Sequence, residues 1–335
     1  MQPYPLVLTP ILKEKVWGGR RLETLGKDLP EAVNVGESWE LADLSATSPD
    51  GGGGGDARTV IDNGAMRGLT LHEAITAMGP NLLGNTRLTG SGDFPLLVKF
   101  LDARENLSVQ VHPSPEYARD NPGPPEAHLK TESWYVLDAE PGSVIYRGVA
   151  PGTSRDEFAR CIREGTVEDV LIAHEAVPGE VHHLPSGTCH ALGAGVMVAE
   201  VQTPSDTTFR VYDWGRTHRT LHIEQALECI DFEGRLDLPP VRSDGSERCR
   251  LLETDHYILT ESRHRGDSEE NVRTGDGARI VMILSGEGRL VSGDGAYDPA
   301  PFRTGTSILL PDALPGSRAI FTRDTVALEA RVPSP

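Results

Sequence analysis

Apolar and polar residues alternate along this chain in short runs, bounded by glycine and proline, and only a few stretches show helical spacing. In LSVQVH (residues 107–112), successive side chains on a strand would point to opposite faces. Ser108, Gln110 and His112 then share a polar face, while Leu107, Val109 and Val111 share an apolar one. The same rule puts Lys130, Glu132, Trp134 and Val136 on one side of KTESWYVL (residues 130–137). It groups Val196, Val198, Glu200 and Gln202 in residues 196–202, and Thr208, Arg210 and Tyr212 in residues 207–213. Residues 6–12 and 37–42 also read as strands, with Lys15, Trp17, Gly18 and Gly19 expected in the turn between them. Helices are few. A capping box from Thr70 to Glu73 opens one to about Met78, and Ser154 to Glu157 opens another that carries Phe158, Cys161 and Ile162. Residues 221–230 read as a third. Beyond residue 231 the linker-like PPVRSDGSERCR precedes short strands at 257–260, 278–284, 288–291, 307–310 and 318–321. Gly-rich turns separate them, as in a second antiparallel barrel. The pattern predicts an all-β chain with a few packing helices.

Composition narrows the functional class. At 335 residues the chain has room for two domains with cores. Its 32 basic and 50 acidic residues repel nucleic acid and anionic membranes, so a phosphorylated substrate would need a local cluster of Lys and Arg. The four cysteines, Cys161, Cys189, Cys229 and Cys249, are widely spaced, which points to reduced core thiols rather than disulfides or a thiolate zinc site. No secretory leader or spanning segment is recognisable, and a cytoplasmic location is expected. The glycine run in residues 48–56 lacks the Lys-Ser/Thr of a phosphate loop and is expected to be a flexible surface insertion of unassigned role.

Candidate chemistry gathers in three places. Gln110 and His112 offer an amide oxygen and an imidazole on one strand face, Glu132 offers a carboxylate, and the turn LPSGTCH (residues 184–190) presents His190. A donor set of Gln, His, Glu and His is all nitrogen and oxygen and suits a divalent ion such as zinc. Its single carboxylate leaves positive charge to polarise a bound oxygen. His182 and His183 alternate, so they do not both face inward. His128 is a minor candidate beside the site, and His256 and His264 are expected to be ordinary surface or loop residues.

Gln-x-His, then Glu, then Pro-x-Gly-x-x-His resembles the two metal motifs of the cupin superfamily. FPLLVKFLDA, LSVQVHP, KTESWYVL, LPSGTCHAL and VAEVQTPSDTTFRVYDWGR, in that order, resemble the short bacterial form of type I phosphomannose isomerase. The resemblance implies two cupin (jelly-roll) β-barrel domains: a catalytic metal-binding one at 1–232 and a metal-free, structural one at 250–335. It also implies one zinc ion per chain and interconversion of mannose 6-phosphate and fructose 6-phosphate through an enediol. Arg210 and Lys130 would be catalytic, and Lys99, Ser108 and Glu200 would lie near substrate. A zinc-bound water, Lys130, Glu200, Asp206 or a histidine could carry the proton. The alternatives are a metal cupin oxygenase and a non-catalytic sugar-phosphate-binding cupin. The partner expected is a small phosphosugar, with no nucleic acid and no membrane. Oligomeric state is left open, a monomer sufficing for such a site.

Overall fold

A computed structural model describes residues 2–48, 52–123, 129–314 and 316–334. His128 and part of the glycine run, residues 49–51, lie outside them. The alternating runs form antiparallel strands in two paired sets of sheets. In the first, a five-stranded sheet runs Leu171–Glu175, Val144–Val149, His190–Leu192, Val109–Val111, Phe209–Tyr212. It faces a seven-stranded sheet of Val241–Arg242, Glu180–Leu184, Glu132–Ala139, Val196–Gln202, Leu97–Ala103, Ile11–Gly19 and Val35–Leu41. Trp134, Val136, Ile145, Leu184, Leu192 and Val198 pack between them.

The second set repeats the plan. A seven-stranded sheet begins Arg248–Glu253, Ile258–His264, Thr325–Arg331, Arg279–Ser285, Ser307–Leu310 and ends with Leu6–Thr9 and Val60–Ile61. A four-stranded sheet of Ser268–Asn271, Ser317–Phe321, Glu287–Ser292 and Ala300–Arg303 faces it across Ile283, Leu290, Phe302 and Ile308. The all-β architecture of two barrels expected from the sequence is what the chain adopts. The two seven-stranded sheets share the largest core, where Tyr135, Met197 and Ala199 meet Tyr257, Leu259 and Leu328. All seven residues of Val196–Gln202 are therefore buried. Burying one such Val or Met side chain contributes about 1.5–3 kcal/mol.

Several boundaries differ from the sequence pattern for identifiable reasons. Residues 6–12 do not form one strand: Pro10, which has no N–H to give a ladder, separates Leu6–Thr9 from Ile11–Gly19. Leu6–Thr9 crosses to the second barrel, pairing Leu6 with Leu309 and Val7 with Ile308, although chain order groups it with residues 1–232. Lys15, Trp17, Gly18 and Gly19 continue the strand instead of forming a turn. Between residues 136 and 181 there are two strands, Val144–Val149 and Leu171–Glu175, besides the helix Arg155–Glu164. That helix and Ile223–Cys229 cover the outer face of the five-stranded sheet, and Val109 and Val111 pack beneath them. The apolar face of residues 107–112 is thus largely the helix-covered outside, and the polar face is the barrel interior. The Thr70 capping box is present: its hydroxyl accepts from Glu73 N, and Glu73 Oε2 accepts from Thr70 N at 2.8 Å.

Candidate metal centre and cleft

Cross-strand register assembles the polar residues predicted from sequence. In the five-stranded sheet Gln110 lies opposite His190 on one side and Arg210 on the other. In the facing sheet Glu132 lies opposite Gln202, and Glu200 sits between Lys99 and Trp134. Side chains from both sheets point into the space between them, where Glu132, His112 and His190 are 0–1 % exposed.

The turn before His190 explains its placement. Gly187 adopts φ +97°, and a Cβ there would meet the Cys229 carbonyl at 3.1 Å, so glycine alone fits without strain. Gly187 N donates to the His112 carbonyl at 3.2 Å, tying the two histidine segments together.

Backbone carbonyls fix both imidazoles. His190 Nδ1 lies 2.8 Å from the Thr188 carbonyl and His112 Nδ1 lies 2.9 Å from the Thr207 carbonyl, so each Nδ1 carries the proton and donates it. Each Nε2 is left as an acceptor. His190 Nε2 faces Glu132 Oε1 at 3.1 Å, and His112 Nε2 faces Glu132 Oε2 at 3.4 Å. Two lone pairs beside a carboxylate call for a cation among them: Lys130 Nζ serves His112 Nε2 and Glu132 Oε2, while Glu132 Oε1, facing His190 Nε2, is a buried acceptor with no hydrogen-bond donor. Gln110 completes the group, its amide 3.2 Å from His190 Nε2 and able to present either its nitrogen or its oxygen. Neutral nitrogen and carboxylate oxygen donors in this arrangement fit a divalent ion such as zinc.

Lys130 brings the cationic end of its side chain to this point, with Nζ 3.0 Å from His112 Nε2 and ion-paired to Glu132. Burial, with the nearby Lys130 ammonium, pushes His112 down to about 3, which keeps its ring neutral. Burial works to raise Glu132, yet Lys130 and the two histidines hold it well below the usual carboxylate range.

Gln110 and Lys130 line a cleft of about 440 Å³, with His112, Glu132 and His190 directly behind them. Lys99, Ser108, Lys130, Glu200 and Arg210 all line it, so every site residue named from sequence lies in the cleft or at its metal-binding wall. Lys99 Nζ donates to Glu200 at 2.9 Å and Gln202 at 2.7 Å. Burial opposes its charge, but Glu200 and Glu37 outweigh that and hold it charged. Trp134 Nε1 donates to the other Glu200 oxygen at 2.8 Å. Arg210 Nε donates to Ser108 Oγ at 3.3 Å and its Nη1 to the Thr220 carbonyl at 2.7 Å. His182 is buried within the barrel and His183 faces the other barrel, hydrogen-bonded to Ser133, so the two do point apart.

The VWGG and GESWELAD segments, which the family resemblance implies lie beside the active-site mouth, do reach this cleft: Glu37 lines it and Trp17 and Trp39 are buried in its wall. Lys15, Arg219 and His222, given no role from sequence, line it as well. Glu37 accepts from Trp39 Nε1 at 2.6 Å and pairs with Lys15 at 3.1 Å. Burial raises it, but Lys15 and Lys99 bring it to about 2. Alternation of Glu37 and Trp39 along one strand was the available signal. The glycine run is not a detached insertion: Ser48 and Gly52 amides donate to Asp206 at the rim. A second trio, Asp43, His72 and Asp93, already surrounds the Arg58 guanidinium, 2.7 Å from Asp43 and 3.5 Å from Asp93, and needs no metal.

Comparison with known proteins agrees with this geometry. Residues 6–145 match the family model for the catalytic domain of type I phosphomannose isomerase. Mannose-6-phosphate isomerases of Bacillus subtilis and Streptococcus mutans are 32% and 34% identical to the chain over 323 and 319 residues, covering 94% and 92% of it and 95% and 93% of the relatives. The crystal structure of the mannose 6-phosphate isomerase from Bacillus subtilis superposes with a TM-score of 0.81 at 28% identity, over 98% of this chain and 99% of that one. A zinc-bound mannose 6-phosphate isomerase shares the fold, with a TM-score of 0.74 at 16% identity over 98% of this chain and 99% of that one. On the strength of the near full-length matches, the chain belongs to the mannose-6-phosphate isomerase family.

Proposed function

We propose that the chain interconverts mannose 6-phosphate and fructose 6-phosphate through an enediol, with one zinc ion held by Gln110, His112, Glu132 and His190. One observation carries the reading. Two imidazole lone pairs converge on a buried carboxylate, and the cleft beside them brings Lys15, Lys99, Arg210 and Arg219 together with Glu37, Glu200 and Asp206. Such a cleft suits a sugar with hydroxyls for a metal and a phosphate for cationic side chains. When bound, zinc would supply Lewis-acid polarisation of the sugar's oxygens.

The side chains divide the remaining work. Arg210, braced by Ser108 and Thr220, stabilises negative charge building on the carbonyl oxygen. Lys99 and Glu200, locked to one another, position substrate together with Ser108. Proton transfer between C1 and C2 is assigned to Lys130, which must act there as the neutral amine, released from its ion pair with Glu132. The competing carboxylates have both oxygens held by donors: Glu200 by Lys99 and Trp134, Asp206 by Ser48 and Gly52, Glu37 by Lys15 and Trp39. A carboxylate so held is a weak base.

We assign catalysis to residues 1–232, without the Leu6–Thr9 strand, and a metal-free role to 250–335. Among the described residues both His and acid groups at ligand distance lie in the first half. A cytoplasmic site of action fits the four free thiols and the absence, among the described residues, of a helix long and apolar enough to cross a membrane.

The test is turnover of mannose 6-phosphate by protein as purified, after chelation, and after zinc or iron is returned. Activity lost and restored by zinc is the expected result. Folded protein that consumes O2 with iron and isomerises nothing would overturn the reading.

A further inference from the structure

We propose that the interior of the second barrel is a binding site for a small organic carboxylate with an apolar body. The barrel encloses a cavity of about 270 Å³, remote in sequence from every residue of the metal centre. Small barrels either fill their interiors with side chains or hold one small ligand, and here two positions that would fill the space, Ala319 and Ala327, are alanines.

The cavity is polarised along its depth. On Arg279–Ser285 the inward side chains run from Arg279 through Val281 to Ile283, and on Thr325–Arg331 from Glu329 to Ala327. Leu290, Phe302 and Ile308 complete an apolar floor, all at most 5 % exposed. His264 stacks flat on Phe321, with ring centroids 4.1 Å apart at 8°. It is thus part of the wall, at the end of a strand, and not the ordinary surface or loop residue expected from sequence. A flat, apolar wall of this kind takes an alkyl chain or an aromatic ring.

The mouth is rich in arginine in a chain of net charge −18. Arg248, Arg263, Arg273 and Arg279 line it with Glu247, Glu270 and Glu329, while Glu261 pairs with Arg263 and Asp276 lies near enough to attract Arg248 and Arg279. The pairing leaves Arg279 under-compensated. Glu329 is held by both terminal nitrogens of Arg248, at 2.5 and 2.8 Å, and lies 3.9 Å from Arg279. Arg279 is 6 % exposed and otherwise donates to the Arg273 carbonyl, a neutral acceptor. Arg273 itself makes no ion pair among the described residues. A ligand carboxylate entering head-last meets Arg279 and Arg273 while its apolar body occupies the floor. An ammonium head would meet the same two guanidinium groups and be repelled.

Octanoate is the probe, with acetate and octylamine as controls, titrated calorimetrically into the full-length protein. Octanoate is expected to bind one per chain at least a hundredfold more tightly than acetate, because each buried methylene contributes several-fold. Octylamine is expected not to compete. Arg279→Met should weaken octanoate about tenfold, the loss expected of one charge-assisted hydrogen bond. Ala319→Phe, which fills the cavity, should abolish binding and leave turnover of mannose 6-phosphate unchanged. Should Ala319→Phe fail to fold, a crystal grown with octanoate decides instead, by the carboxylate against Arg279. Absence of octanoate binding, equal binding of octylamine, or a bound octanoate elsewhere would overturn the proposal. None of these outcomes bears on the isomerase reading.

Discussion

His112 and His190 differ from ordinary buried histidines in having a carbonyl on one nitrogen and a carboxylate on the other. That arrangement fixes what each substitution should do. His190→Ala removes one of two neutral nitrogen donors and leaves Gln110, His112 and Glu132, too few to hold an ion firmly. Metal content should fall from one per chain to near zero, with activity lost, by elemental analysis and assay of the same sample. Arg210→Ala acts on a different quantity. Its guanidinium stands beside Ser108, not among the ligands, so metal should stay bound while kcat falls roughly 10²–10³-fold, the range for losing one donor to a developing oxyanion. An Arg210→Ala protein purified without metal would show that Arg210 supports the ligands rather than the reacting oxygen. The proposed ligands were legible in the sequence because Gln110 and His112 share one strand face and a Pro-Ser-Gly turn precedes His190; that this polar face is the barrel interior was not, since alternation alone marks the apolar face as core. Lys15 and Arg219 were not, because they are ordinary charges until cross-strand pairing, as of Trp39 with Lys99, brings them into one cleft.

At the scale of elements, what the sequence disclosed and what it hid follow the same division between local and distant causes. Capping is local, so Thr70 and Ser154 marked their helices correctly. Thr70→Ala should cost about 1 kcal/mol of stability by urea unfolding, with turnover unchanged, since the helix Leu71–Met78 packs on the shared core and not on the cleft. A measurable loss of turnover at full folding would show that the helix is coupled to the site. Strand pairing is not local. Val196–Gln202 was read with its observed bounds, whereas Leu6–Thr9 gave no sign that its partner lies about 300 residues away. Strands buried on both faces also blur the distinction between core and site. Ser133 and Tyr135 turn toward the other barrel while Glu132 and Trp134 turn inward, and both sets are buried.

For the whole molecule, the barrels are joined by a core that carries titratable groups as well as apolar ones, and this sets its response to acid. His183 sits at the junction between Ser133 and the Tyr257 ring, and burial pushes it down to about 4. His182 lies inside the first barrel near Arg147 and His174. Burial, then the Arg147 charge, pushes it down to about 3. Both have an ordinary value of 6.5, which applies once the chain unfolds. The unfolded chain therefore takes up protons below pH 6.5 that the folded chain refuses until about pH 4 and 3. Stability from these groups is full above pH 6.5 and is lost as pH falls through that window. At pH 5 each histidine should remove about 2 kcal/mol, and the pair about 4 kcal/mol, relative to neutral pH. Urea unfolding at pH 7, 6 and 5 measures the slope. The double variant His182→Gln, His183→Gln, whose side chains do not titrate, should lose less stability between pH 7 and 5 by that amount, whatever its stability at pH 7. An unchanged slope would mean that neither ring is kept neutral by the fold, and that the two barrels resist acid independently of the groups buried between and within them.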